Sequence, residues 1–81
     1  MNDRLIDLAS IFFHDDEPPD ERLVQIYEER LRTGVAVTYP VLVRKADGRY
    51  SPLDEDDRAK VEAAKRCGAD SVWAYVIDDT V

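Results

Sequence analysis

Apolar residues recur along the first half of this chain with two periods, and each period predicts a different kind of element. Polar and apolar residues alternate over residues 4–7, which predicts a short strand at the edge of a sheet. Pro18 and Pro19 then interrupt regular structure. Over residues 20–33 an apolar spacing of three and four predicts a helix, and Gly34 is placed to end it in a left-handed C-cap. The predicted inner face of this helix consists of Leu23, Ile26, Tyr27, Arg30 and Leu31.

The second half begins with a predicted hairpin. Residues 39–44 are rich in β-branched and apolar side chains, and Pro40 stands at the strand start, where a missing amide does least harm. Asp47 and Gly48 accept the positive φ of a tight turn, and residues 49–53 return as the partner strand.

A second helix and a final strand complete the pattern. Asp54 or Asp56 can cap a helix that runs to about Cys67, with small inner residues that favour close packing on a sheet. Residues 71–77 are apolar at both parities, which predicts a strand covered on both faces. The element order is therefore β-α-β-β-α-β, in an α/β (α+β) fold with one sheet and helices packed against it.

Size and charge exclude several classes of protein. A chain of 81 residues is predicted to form one domain, residues 1–81, because it cannot divide so small a core. Eighteen acidic against eleven basic residues give a net charge of −7, which repels DNA, RNA and anionic lipid. An acidic surface that imitates DNA is a further reading. Neither a signal peptide nor a membrane span is recognised. One cysteine, Cys67, and one histidine, His14, leave no disulfide or zinc set, which predicts a reducing cytoplasm.

The order of several segments resembles the ParB/sulfiredoxin family. The segments are Pro40-Val-Leu-Val-Arg44, Asp47-Gly-Arg-Tyr50 and the run from Val61 to Asp78, preceded by Leu5-Ile6-Asp7-Leu8 and the His14-Asp15 pair. The resemblance implies a small mixed sheet with two main helices. It also implies kinship with partition proteins that bind DNA and nucleotide, with sulfiredoxins, and with ParB-like nucleases and serine kinases. Fold alone does not choose among these activities.

The discriminating segment is the loop that feeds the second helix, which in the family reads Gly-x-x-Arg and holds phosphate. Counting back from Val61, the glycine position is Asp57, the variable pair is Arg58 with Ala59, and the arginine position is Lys60. The sulfiredoxin nucleophile would fall at Arg58, so Cys67 cannot inherit that role. The resemblance thus comes with an altered phosphate motif.

Charge around this motif predicts weak phosphate binding. Residues 54–57 contribute four carboxylates, Arg58 and Lys60 contribute two cations, and a helix N-terminus adds about +0.5, so the sum is about −1.5. The carboxylates would either cap the helix or coordinate a hard cation such as Mg²⁺.

Three further candidates each have two readings. The resemblance implies that His14 and Asp15 occupy the position of a His-Glu pair in serine kinases of this fold, where Asp15 would serve as a base. The other reading is that both residues belong to a solvated loop. Arg44 would share a cleft with Arg58 and Lys60, together with Arg49, or would only protect a strand end. Trp73 replaces a proline common in the family, and would anchor a partner or a second copy, or fill the core.

Two functions remain after these exclusions. The preferred hypothesis is a non-catalytic ParB-like binding or regulatory module without a cofactor, of plasmid or phage setting, that acts through contact with a protein partner. The alternative is a nucleotide-dependent enzyme or switch of the nuclease, NTPase or serine-kinase type, in which Arg58 and Lys60 hold phosphate with Mg²⁺. A sequence-specific DNA reader would need a recognition helix that the sequence does not show after the last strand.

Overall fold

The computed structural model describes residues 2–13 and 18–78, and the order of their elements confirms the β-α-β-β-α-β pattern. One short 3₁₀ turn, Leu8–Ser10, was not predicted. The strands and helices are β1 (Asn2–Asp7), α1 (Glu21–Thr33), β2 (Val41–Arg44), β3 (Tyr50–Pro52), α2 (Glu55–Arg66) and β4 (Ser71–Asp78). Within the described ranges no helix is long and apolar enough to cross a membrane.

The four strands form one mixed sheet in the order β1-β4-β2-β3. Strand β4 is antiparallel to β1 and parallel to β2, while β2 and β3 form the predicted hairpin. Strand β1 is at one edge, as predicted. The chain then crosses to the other edge, where the amide of Phe12 donates to the carbonyl of Tyr50 at 2.8 Å and Ile11 bridges the same residue.

Helix α2 lies between the sheet and α1. Its Val61 and Ala64 pack on the sheet, in a core cluster with Ile6, Leu8, Leu42, Ala74 and Val76. Its Ala59 and Ala63 are fully buried on another side, against Val24 of α1. Of these alanines only Ala64 packs on the sheet, whereas Ala59 and Ala63 let the two helices approach closely.

The inner face of α1 is only partly the predicted one, because Leu23 and Tyr27 lie on it while Ile26, Arg30 and Leu31 are exposed. Val24 is fully buried and Leu23 and Tyr27 pack beside it, whereas Ile26 is 45% exposed and Leu31 is 40% exposed. The reason is that α1 packs on the alanine side of α2, which is narrow, and only a thin stripe of α1 can be covered by it.

The C-cap of α1 at Gly34 and the N-cap of α2 follow the prediction, and Asp20 is a further cap that was not predicted. The side chain of Asp20 accepts the amide of Arg22 at 2.9 Å, and Gly34 has φ 78°, the left-handed conformation expected of a C-cap glycine. Asp54 rather than Asp56 caps α2, and its Oδ1 accepts the amide of Asp57 at 3.0 Å.

Strand β4 is not covered on both faces, contrary to the prediction. Trp73 is 48% exposed and Ile77 is 41% exposed, while Ala74 and Val76 on the other face are buried. Helix α2 packs on the buried side of the sheet and α1 packs on α2, so in the described part of the chain neither helix covers the second side.

The phase of α1 can be tested with two truncations. We expect Val24→Ala to lower the free energy of unfolding by about 1–3 kcal/mol, because it opens a cavity between the helices. The matched control is Ile26→Ala, two residues further along α1 and exposed. It should change the free energy of unfolding by less than about 0.5 kcal/mol. Urea denaturation followed by circular dichroism measures both, and an equal or reversed pair of losses would contradict the observed packing.

Candidate functional site

Asp57, which the sequence resemblance aligns with the glycine of a phosphate motif, is a buried structural side chain. It lies in the first turn of α2 with 5% of its surface exposed. Its Oδ1 accepts the amide of Val41 at 2.9 Å, which ties the start of α2 to the start of β2. The carboxylate therefore supplies an internal acceptor that joins two elements of the fold.

The electrostatics of this helix start are set by two neighbouring carboxylates. Burial raises the pKa of Asp57 to about 6, the amide of Val41 opposes this rise, and the neighbouring Asp54 adds to it. The pKa of Asp54 is lowered, chiefly because its carboxylate accepts the amide of Asp57. The positive end of α2 is thus already satisfied by a carboxylate of the chain itself.

Lys60, at the arginine position, belongs to a cluster that we call the Lys60 cluster: Tyr27, Thr38, Asp56 and Lys60. Only 8% of Lys60 is exposed, and its Nζ donates to Thr38 Oγ1 at 2.7 Å and lies 3.2 Å from Asp56 Oδ2. The Tyr27 hydroxyl donates to Asp56 Oδ1 at 2.5 Å. The cluster joins α1, the segment before β2 and α2.

The tyrosine and the lysine of this cluster hold one another in place. Burial, followed by the hydrogen bond to Asp56, raises the pKa of Tyr27 to about 12, so its hydroxyl stays protonated and remains a donor at neutral pH. Lys60 Nζ lies 5.6 Å from the centre of the Tyr27 ring, within range of a cation–π contact. An incoming phosphate would have to displace these contacts to reach the lysine.

Arg58 and Lys60 do not converge on one point. Both lie within α2, and residues two apart on a helix are separated by about 200° around its axis. Helical spacing places the partly buried Arg58 on the side of Val61 and Lys65, and Lys65 Nζ lies 5.7 Å from the Phe13 ring. The two cations therefore lie on different sides of α2.

Arg44 and Arg49 are not brought together with Lys60. Arg44 is exposed at the last residue of β2, whereas Lys60 reaches Thr38 before the first, so about 10 Å of strand lies between the two ends. The guanidinium of Arg49 lies over the ring of Phe12 at 4.3 Å and 3.7 Å from Asp47 Oδ2. The common basic cleft expected from the sequence is not formed with Lys60.

The remaining sequence predictions concern the His14-Asp15 pair and a metal site at residues 54–57. His14 and Asp15 lie outside the described residues, so a catalytic base at this pair stays a prediction. Among the residues that the structure does describe, no three or more His, Cys, Asp or Glu side chains are grouped to hold a metal ion. At the start of α2, Asp54 serves as the cap and Asp56 pairs with Lys60.

The uncovered side of the sheet, which we call the open face, is apolar and aromatic. Trp73 lies on it and is 48% exposed, so the core-filling reading of this residue is wrong. The ring of Trp73 stacks on Tyr39, with centres 6.3 Å apart and planes 21° apart. Pairing register and strand alternation place on this face Leu5, Val41, Val43, Trp73, Tyr75 and Ile77, with Asp3 and Asp7 at its β1 edge.

Tyr39 is a member of this surface that was not predicted from the sequence. Its ring also lies 5.4 Å from that of Tyr75, which makes an aromatic group of three. The signal was present, because Tyr39 shares the parity of Val41 and Val43 on the same strand segment. Beside Tyr39 and Trp73 the open face continues into a groove of about 300 Å³ between the ends of α1 and α2 and the start of β4.

The fold of this chain is similar to that of solved structures of known proteins. No protein-family model and no curated protein sequence matches the chain. A sulfiredoxin from Arabidopsis thaliana superimposes with a TM-score of 0.73 at 15% identity, covering 96% of this chain and 86% of that one.

Part of a partition protein has the same fold. The chromosome-partitioning protein ParB from Caulobacter crescentus, complexed with CTP-gamma-S, gives a TM-score of 0.69 at 18% identity, over 96% of this chain and 45% of that one. Its complex with the centromeric parS site gives 0.57 at 16% identity, over 96% and 39%. The chain spans less than half of the length of the ParB chains. At sequence identities of 15–18% the similarity shows a shared fold and no shared function.

The buried carboxylate of Asp57 predicts a specific dependence of stability on pH. Because its pKa is raised from 3.8 to about 6 in the folded state, the folded chain keeps this proton where the unfolded chain has lost it. Its contribution to stability is therefore present below about pH 4 and is lost as pH rises to about 6.

Replacement by asparagine should remove this loss. Asp57→Asn keeps an oxygen for the amide of Val41 and carries no charge, so we expect the free energy of unfolding to rise by about 1–2 kcal/mol near pH 7.5 and to change little near pH 4. Glu55→Gln, an exposed carboxylate of the same turn, is the control. Urea unfolding over this pH range decides it, and a less stable Asp57→Asn variant near pH 7.5 would contradict the argument.

Proposed function

We propose that this chain, which has the ParB/sulfiredoxin-like fold, is a non-catalytic binding or regulatory module that acts by contact with another protein. The single observation that carries the proposal is the open face. An exposed apolar patch rimmed by polar residues is typical of a protein interaction site. Tryptophan and tyrosine, which lie at its centre, are the residue types most enriched at binding hot spots.

The aromatic group is suited to contact by its arrangement as well as by its composition. Trp73 and Tyr39 are 48% and 39% exposed, and each is held by stacking on its neighbour. Side chains that are already held in place lose little conformational freedom when a partner covers them. Little of the free energy gained by burying these rings against a partner would therefore be lost to ordering them.

The altered phosphate motif supports the same choice over a nucleotide-dependent switch. Asp54 already accepts the amide of Asp57, and Lys60 is paired with Asp56 and Thr38. Arg58 lies on a different side of α2. A phosphate at this helix start would meet carboxylates in place of free donors, within a chain of net charge −7.

The charge of the chain also limits the class of partner. Nucleic acid is disfavoured by the net charge of −7, so the partner is a protein. A second copy of this chain is the simplest alternative occupant of the open face. The resemblance to ParB suggests a plasmid or phage as the setting, and a regulator there would act by occupying a protein partner.

Capture from the native host tests the contact. We expect the immobilised chain to retain a specific host protein, and Trp73→Ala to reduce its recovery by about thirtyfold or more, the effect of a lost hot spot. Ile26→Ala, which removes an apolar side chain of similar exposure from α1, should leave recovery unchanged. Quantitative mass spectrometry measures both.

Two results would oppose this reading of the open face. Equal recovery by the Trp73→Ala and Ile26→Ala variants would remove the face from the interaction, and no specific protein at all would remove the proposal. Sedimentation of the purified chain, with and without Trp73→Ala, tests the second copy separately.

Calorimetric titration with ATP, ADP and CTP in the presence of Mg²⁺ tests the alternative function. We expect no binding at millimolar nucleotide, because the donors of the motif are engaged. Micromolar binding that is lost in Lys60→Met but kept in Lys65→Met would establish a nucleotide site at the altered motif and overturn our preference. Circular dichroism of both variants checks that they are folded.

A further inference from the structure

The outer edge of β1 exposes main-chain groups at alternate residues. Leu8 donates its amide to the carbonyl of Asp70 at 2.9 Å, and this pair continues the register in which Asp7 lies opposite Ser71. In an antiparallel pair only alternate residues bond to the neighbouring strand. The amides and carbonyls of Asp3, Leu5 and Asp7 therefore point away from β4.

This edge differs from the opposite edge of the sheet. There, the amide of Phe12 bonds to Tyr50 and covers β3. On β1, the Ser10 hydroxyl donates to the carbonyl of Asp7 at 2.7 Å. Among the described residues, nothing pairs with the outward amides of Asp3, Leu5 and Asp7 or with the outward carbonyls of Asp3 and Leu5.

The same three residues carry a distinctive pattern of side chains. Asp3, Leu5 and Asp7 alternate along β1 and lie directly across from Tyr75, Trp73 and Ser71, respectively. Residues directly across from one another share a face, so these three lie on the open face. All three are exposed, Leu5 by 55%, and Leu5 lies directly across from Trp73. A strand added here would meet the order acidic, apolar, acidic.

A second copy of β1 fits this edge poorly. In an antiparallel pair that continues the open face, the register centred on Leu5 places Asp3 opposite Asp7 of the other copy, twice. The register centred on Arg4 places two arginines opposite each other, and the one centred on Ile6 places Leu5 opposite Asp7. Like charges directly opposite destabilise a pair of strands, and each copy carries a net charge of −7.

We propose that β1 binds an extended segment of a partner protein as an additional strand, with the alternating pattern basic, any, apolar, any, basic. The basic residues would lie opposite Asp3 and Asp7, and the apolar residue would lie opposite Leu5, beside Trp73. This is β-strand addition, in which main-chain hydrogen bonds supply affinity and alternate side chains supply selectivity. It rests on the proposed function and names the chemistry of the partner.

Nuclear magnetic resonance titration with a short peptide tests the pairing directly. The probe is acetyl-Lys-Thr-Val-Thr-Lys-amide, whose symmetric pattern fits in either strand direction, and the control peptide has glutamate in place of both lysines. We expect shifts at β1 amides with millimolar lysine peptide and slowed hydrogen exchange at Asp3, Leu5 and Asp7. The glutamate peptide should bind about tenfold or more weakly, a difference of about 1.4 kcal/mol.

Matched variants separate the main chain from the side chains. Leu5→Pro and Leu5→Ala both remove the leucine side chain, but only Leu5→Pro removes the outward amide hydrogen. Only Leu5→Pro should therefore abolish the binding that remains in Leu5→Ala. The double variant Asp3→Lys/Asp7→Lys should reverse the preference between the two peptides. Chain made by synthesis with an N-methylated Leu5 replaces Leu5→Pro where that variant fails to fold.

The outcomes distinguish this inference from the proposed function. Absence of β1 shifts at millimolar peptide, equal binding of both peptides, or equal binding by Leu5→Pro and Leu5→Ala would each overturn strand addition. A host protein whose capture needs Trp73 but is indifferent to Leu5→Pro would keep the interaction module and still overturn strand addition. Peptide binding to β1 without any protein captured through Trp73 would do the reverse.

Discussion

The packing of α2 on two sides is the constraint on which the rest of this structure depends. Val61 and Ala64 must face the sheet, while Ala59 and Ala63 must face Val24 of α1. Once these positions are fixed, helical geometry also fixes the directions in which the neighbouring side chains of α2 point. Lys60 is directed to α1 and to the segment before β2, and Asp57 is directed to Val41, so both are committed to the interior.

This placement makes Asp57 and Lys60 part of the internal structure. A glycine and an arginine at these positions would leave a helix start with free amides and a guanidinium fork, which is a site for an anion. Here the carboxylate of Asp57 bonds an amide of β2, and Lys60 is neutralised by Asp56. The same chemistry of donors and charges is present, but each group is used to join one element of the fold to another.

The sequence predicted those features that depend on local chemistry and short spacing. Element order, the caps at Gly34 and Asp54 and the edge position of β1 follow from such patterns. The mixed sheet follows from the resemblance. The burial of Val24 in place of Ile26 did not follow, because both are apolar and only the alanine surface of α2 decides which is buried. The two-sided apolar pattern of β4 is equally compatible with a covered strand and with a binding surface. The divergence of Arg58 and Lys60, in contrast, follows from the helical period once α2 begins at Glu55.

Placement of both helices on one side of a four-stranded sheet leaves a face and an edge that meet along β1. Leu5 belongs to both, since its side chain lies across from Trp73 while its amide points away from the sheet. Solvent-exposed edges are commonly protected by charge, and a charge protects only against strands that carry the same sign. Asp3 and Asp7, which flank Leu5, therefore make this edge selective. Their charges repel acidic strands and copies of this chain, and they attract a basic strand. The acidity of the chain and the apolarity of its open face are thus compatible parts of one surface, and they select the same kind of partner.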